Sequence, residues 1–147
     1  MAVETVDVDA MTPEDFAALV KRSSDADLAA TIAQAGEDRV LERVFSTIPE
    51  RLKANAASSV NDTLSFRITS GDTIYSHALT IANGTCTHTS GAVEEYRAGV
   101  STDIVTFSKL ITGQANEITL FLRRKLKIAG DLAFAQGFLR YFDRPKA

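Results

Sequence analysis

In a chain with two histidines and one cysteine, His77, Cys86 and His88 are the residues best suited to chemistry. Imidazole and thiolate are soft ligands for zinc-type ions and partners in nucleophilic catalysis. Whether they meet depends on Asn83-Gly84, the strongest hairpin signal in the sequence, which favours a type I′ turn. A two-residue loop pairs Ala82 with Thr85, Ile81 with Cys86 and Leu79 with His88. Cys86 and His88 then share a face with Tyr75, His77, Leu79 and Ile81. A metal site also needs a further ligand or a water position and a supporting shell, and neither is evident. The cluster is therefore read as a polar anchor for a ligand headgroup or as a buried hydrogen-bonded pair, and no metal is assigned.

Other catalytic arrangements find little support. Glu94 and Glu95 are adjacent, so on a strand they face opposite sides and form no carboxylate dyad. Asp131 stands where the N-cap of the last helix is expected. There is no phosphate-cradling glycine loop, no dinucleotide fingerprint and no Ser-His-Asp arrangement. The expectation is a protein without enzymatic activity or cofactor. Arg123, Arg124, Lys125 and Lys127 form the one basic cluster. It reads as a solvated edge, or alternatively as an attraction for anionic headgroups worth about 1 kcal/mol per basic residue.

The elements that must position these residues belong to a chain of 147 residues, long enough for one domain with its own core. Hydrophobic and charged fractions of 45% and 24% are those of a globular protein, and a net charge of −3 argues against a nucleic-acid surface. The single cysteine excludes a disulfide framework and fits a reducing compartment. Residues 1–11 are acidic and carry no secretory leader, and no apolar run approaches the roughly 20 residues that span a bilayer. A cytoplasmic protein with a loose tail over residues 1–11 is expected.

Thr12-Pro13-Glu14-Asp15 starts a helix carrying Phe16, Leu19 and Val20 and ending near Arg22. Ser24-Asp25-Ala26-Asp27 opens a second, Ala-rich helix closed by Gly36, and a third runs from about Asp38 with Val40, Leu41, Val44, Phe45 and Ile48 on one face until Pro49. Residues 55–61 read as a linker. From Thr63 the period changes to 2: Leu64, Phe66 and Ile68 alternate with polar residues, Ser70-Gly71-Asp72 turns the chain, and the hairpin follows. A fourth strand over Glu95–Val100 directs Tyr96, Ala98 and Val100 inward. Ser101-Thr102-Asp103 caps a helix bearing Ile104, Phe107, Leu110 and Ile111, with Gly113 as its stop. Asn116-Glu117 caps a short helix bearing Ile118, Phe121 and Leu122. A strand over Leu126–Ala129 then leads into a last helix with two apolar stripes: Leu132, Ala135, Leu139 and Phe142, and beside it Phe134, Phe138 and Tyr141. That leaves Gln136, Gly137, Arg140 and Asp143 for water. The order is α+β.

From Asp38 to Phe142 the pattern resembles the sterol carrier protein type-two (sterol transfer) family. The resemblance rests on Val44-Phe45 in the third helix, the three-strand meander, and the helix ending Leu-x-x-Gly (Leu110 to Gly113). Its most specific part is Lys125-Leu126-Lys127-Ile128-Ala129-Gly130-Asp131 ahead of an apolar helix. Arg124 departs from the pattern, since many members carry Gly there. The helices of residues 12–37 lie outside the minimal domain and resemble an extension of bacterial members. The resemblance implies a twisted, mainly antiparallel five-stranded sheet covered on one face by helices, with an apolar tunnel between the layers. It further implies non-enzymatic binding and transfer of sterols, fatty acids or acyl-CoA. The chain ends Pro145-Lys146-Ala147, without the peroxisomal tripeptide of animal members.

On that reading Phe45, Leu64, Phe66, Leu79, Ile81, Phe107, Leu126, Ile128, Phe138 and Phe142 line the tunnel. Leu132, Phe134 and Leu139 act as a lid, and His77, His88 and Arg124 are headgroup contacts. The partners expected are a lipid or other apolar small molecule, a transient membrane-surface contact and no nucleic acid. The alternative is a dimerisation or accessory module of the same fold, a homodimer for instance, using the shallow face of Asp25–Ala35 and performing no transfer.

Overall fold

The computed structural model describes residues 5–53 and 60–145. Six helices and five strands follow in the order α1 (Pro13–Arg22), α2 (Asp25–Ala35), α3 (Glu37–Thr47), β1 (Asp62–Ser70), β2 (Thr73–Ala82), β3 (Thr85–Ser90), β4 (Ala98–Asp103), α4 (Ile104–Ile111), α5 (Glu117–Leu122), β5 (Leu126–Gly130) and α6 (Leu132–Phe138). Capping chemistry sets most helix starts. The Thr12 hydroxyl accepts from the Asp15 N–H while the Asp15 carboxylate accepts from the Thr12 N–H, a complete capping box. The side chains of Ser24, Asp103 and Asn116 accept from first-turn N–H groups of α2, α4 and α5. The expected linker over 55–61 falls mostly outside the described residues.

The sheet has the order β3-β2-β1-β4-β5 and is antiparallel except where β4 runs parallel to β1. The hairpin has the expected register, with Ala82 opposite Thr85, Ile81 opposite Cys86 and Leu79 opposite His88. Asn83 and Gly84 both have positive φ, 55° and 74°, as a type I′ turn requires. Helices cover one face: α4 lies against β1 and β4, α3 against β3, and α6 against β4 and β5, while α1 and α2 pack on α4. Phe45, Phe66, Phe107 and Phe138 are fully buried, each contributing roughly 1.5–3 kcal/mol by leaving water. The residues of α1 and α2 belong to the same continuous core.

Three expectations need correction. The tail does not stay loose to residue 11: Val8–Ala10 forms a 3-10 turn, and Val8 and Met11 are buried in the core. Residues 1–4 lie outside the described residues. The fourth strand begins at Ala98 rather than Glu95, and Tyr96 does not point inward. Its side chain is half exposed and lies near Gly99 and Ser65, with its Cε2 3.4 Å from where a Gly99 Cβ would stand. The last helix is short. After Phe138 the chain tightens into a 3-10 turn over Leu139–Tyr141, and Phe142 then bridges to Leu52.

Two corners fix β5. Before it, α5 ends in a Schellman motif, with Lys125 N–H donating to Leu120 O and Arg124 N–H to Phe121 O. That places Arg124 at φ 62°, the left-handed region where glycine is at ease. After it, Gly130 turns at φ 82°, and a Cβ there would stand 2.5 Å from Arg97 O. Asp131 N–H donates to that same carbonyl, its carboxylate accepts from Phe134 N–H, and the Arg97 guanidinium donates to Asp131 and Asp62. The two corners predict opposite substitution effects. Arg124→Gly raises the thermal midpoint by relieving about 1 kcal/mol of left-handed strain, whereas Gly130→Ala costs more than about 2 kcal/mol. Each kcal/mol moves the midpoint about 2–4 °C in a chain of this size, and differential scanning calorimetry reads both.

Candidate functional site

Because residues paired across strands share a face, the inner surface of the sheet reads as rows. Ser90, His77, Phe66, Val100 and Ile128 form one row, and His88, Leu79, Leu64, Ala98 and Gly130 the next. Polar groups occupy the β3 end and aliphatic side chains the β4–β5 end, so the two ends can do different things.

At the β3 end, His77 is 3% exposed and its Nδ1 lies 2.9 Å from Nε2 of His88. Phe45 from α3 stacks on both rings, with centroids 4.3 and 5.4 Å away, and on Phe107. Loss of water around the rings holds both imidazoles below their ordinary pKa, and His88 adds to the effect at His77. Burial pushes the Cys86 thiol up to about 12, so at neutral pH it is a small apolar side chain rather than a nucleophile or ligand. The two histidines form a part-buried hydrogen-bonded pair. Beside it stands a group without a signal in the sequence: the Glu42 carboxylate from α3, 4.0 Å from His77 Nδ1 and accepting from the Ser90 hydroxyl.

At the other end, Leu64, Phe66, Val100, Leu126 and Ile128 face Leu110 of α4 and Ala135 of α6 across a cavity. The space it leaves for water-sized contents is about 10 Å³, and its polar lining residues are Glu117 and Gln136. Of the side chains expected to line a tunnel, Leu64, Phe66, Leu126 and Ile128 do border this space. Phe45, Leu79, Ile81 and Phe107 are packed into the core beside it. Phe134 and Phe138 are buried and meet edge to face, and Phe138 contacts Phe142 at 5.4 Å. Leu132, expected in the lid, is 41% exposed. The side chain of Leu139 lies outside the described residues. Arg124 is exposed, and His77, His88 and Arg124 do not border the cavity.

Val100, Leu110 and Ala135 are the apolar lining residues that the expectation left out. Glu117 and Gln136 are the polar ones, and in sequence Glu117 looks like an ordinary acid in a first helical turn. It is 5% exposed, with Arg144 at 3.4 Å and Arg140 at 3.8 Å, so it ties the end of the chain to α5. A second, larger apolar cleft, with about 40 Å³ of space for water-sized contents, is lined by Met11, Phe16, Val44, Ile48, Ile111 and Phe142. Arg144→Ala should destabilise the fold by about 2–4 kcal/mol by leaving a buried carboxylate short of a partner. Glu117→Gln in the Arg144→Ala background should recover most of that, which a double-mutant cycle in urea measures.

Residues 41–143 match the family model described as the SCP-2 sterol transfer family. None of the curated proteins matches the chain in sequence. Among solved structures, sterol carrier protein 2 from Yarrowia lipolytica in its apo form superposes with a TM-score of 0.55 at 19% identity, over 72% of this chain and 91% of that one. Palmitated SCP2L2 from Aedes aegypti gives 0.54 at 13% identity, over 68% and 87%. The inverting sec-alkylsulfatase from Pseudomonas sp. gives 0.62 at 16% identity over 80% of this chain, which spans only 24% of that enzyme.

Proposed function

Because the chain belongs to the SCP-2 sterol transfer family, we propose that it binds and transfers lipids of the sterol, fatty acid or acyl-CoA class without covalent chemistry. The observation that carries this reading is the apolar cavity between β4–β5 and α6, walled by Leu64, Phe66, Val100, Leu126, Ile128 and Ala135. The space it leaves for water-sized contents is about 10 Å³, barely one water and far below the roughly 300–1,000 Å³ of ordinary ligand pockets, so a lipid enters only if α6 moves away from the sheet. Phe142 borders the larger cleft beside α1 and α3 and packs on Phe138, in the same helix as Ala135 of the cavity wall. Displacement of these two rings, with α6 as the moving lid, would join cavity and cleft. The Glu117 contacts with Arg140 and Arg144 hold that lid closed. Affinity would come from burial of apolar surface at roughly 25 cal/mol per Å², which holds a chain without selecting one.

The basic residues Arg123, Arg124, Lys125 and Lys127, all exposed, adjoin Leu122 and serve in this reading as the approach to anionic headgroups. A cytoplasmic setting is part of the proposal and rests on the lone buried thiol. Among the described residues no helix is long and apolar enough to cross a membrane.

A second reading is favoured by the match to one quarter of an alkylsulfatase chain: the fold as an accessory module in a larger assembly, with no transfer. The readings separate on Ala135→Phe, which fills the cavity from α6. Carrier function predicts at least a tenfold loss of affinity for a fluorescent fatty acid with the fold retained by circular dichroism, and unchanged affinity would count against the cavity. Transfer from anionic vesicles should slow as salt rises, because charges at a surface are screened, and equal rates at low and high salt would remove the role of the basic cluster.

A further inference from the structure

We propose that Glu42, His77 and His88 form a binding site for a divalent transition-metal ion of the zinc class, joining α3 to the β2–β3 hairpin. This goes beyond lipid carriage and uses none of the cavity residues. Among the described residues, these three bring one donor atom each to within 4.8 Å of one another. The histidines face each other across one hairpin, and the fold brings Glu42 to them from α3, an element well before it in sequence.

The donor set is suited to the ion. Neutral imidazole nitrogen and carboxylate oxygen are the ordinary zinc ligands other than thiolate. Both facing nitrogens must be bare to ligate, so an ion replaces the hydrogen bond between the rings and the donor's proton moves to its other ring nitrogen. Ligand atoms about 2.0–2.1 Å from a tetrahedral ion stand about 3.3 Å apart. The distances here straddle that value: 2.9 Å between His77 Nδ1 and His88 Nε2, and 4.0 Å between His77 Nδ1 and Glu42 Oε1. An ion therefore needs the rings to part by a few tenths of an ångström and the carboxylate to swing inward. Glu42 is free to do so, since its side chain is 43% exposed.

The surroundings resemble those of a built site. Phe45 stacks flat on both imidazoles, at 12° to each, and fixes their planes. Ser90 Oγ donates to Glu42, the outer hydrogen bond that orients a ligating carboxylate. Cys86, two residues before His88, is not among the three, and its burial keeps it a thiol. Three protein ligands leave a fourth position for water on the side where Glu42 meets solvent.

Titration calorimetry of the chelator-treated full chain with zinc chloride tests this. One ion per chain is expected. His88→Gln and Glu42→Gln, both at positions that reach the surface, should each weaken binding at least tenfold while the metal-free thermal midpoint stays within a few degrees of wild type. Cobalt(II) should give the visible bands of a tetrahedral site in the wild type and lose them in both variants. Absence of saturable binding overturns the proposal, as does equal affinity in all three proteins. A loss confined to His88→Gln also overturns it, because the carboxylate would then not be a ligand.

Discussion

The position of α6 over the sheet depends on one crowded corner. Gly130 ends β5 with its α-carbon so close to the Arg97 carbonyl that no side chain fits, and the left-handed turn this permits aims the chain back across β4. Asp131 then does three things at once. Its N–H closes onto that carbonyl, and its carboxylate caps the new helix and accepts from the Arg97 guanidinium. The same guanidinium binds Asp62 at the start of β1 and lies 5.0 Å from the centroid of the Phe134 ring. One cation thus ties β1, β4, β5 and α6 together, so α6 is anchored firmly at its first turn. Its far end is held by the ion pairs of Glu117 and by the aromatic contacts of Phe138. A helix fastened at one end and latched at the other is suited to opening by a hinge.

Much of this was legible in the sequence because it is written locally. Asn83-Gly84 set the hairpin register, and Thr12, Ser24, Asp103 and Asn116 marked helix starts by capping chemistry that acts over three residues. The Lys-Leu-Lys-Ile-x-Gly-Asp run announced the corner after β5. What escaped was long-range or depended on a missing side chain. Tyr96 had an inward place by simple alternation, yet the strand begins only at Ala98, and Gly99 leaves room for the ring beside Ser65. Val8 and Met11 enter the core through a turn too short to show a period. Glu42 carries no signal of its own in the sequence. Only the packing of α3 against β3 brings its carboxylate to His77.

The inner face of the sheet separates two kinds of chemistry. In sequence the histidines share a face with the apolar strand residues, which makes them candidate headgroup contacts. In the fold, Phe45 and Phe107 stack on the β3 side of that face, and the cavity opens on the β4–β5 side. The apolar last helix is partly core, through Phe134 and Phe138, and partly cavity wall, through Ala135. Its tightening into a 3-10 turn at Leu139 brings Phe142 to the second cleft.

The central claim is that the space under α6 exists to hold a lipid. Native mass spectrometry of the full chain, purified from cells without added ligand, tests it most directly. The account predicts a population carrying one lipid-sized adduct per chain, removed by delipidation and restored by a fatty acid. A chain that is bare from every preparation and takes up no fatty acid, whether as monomer or dimer, would contradict it.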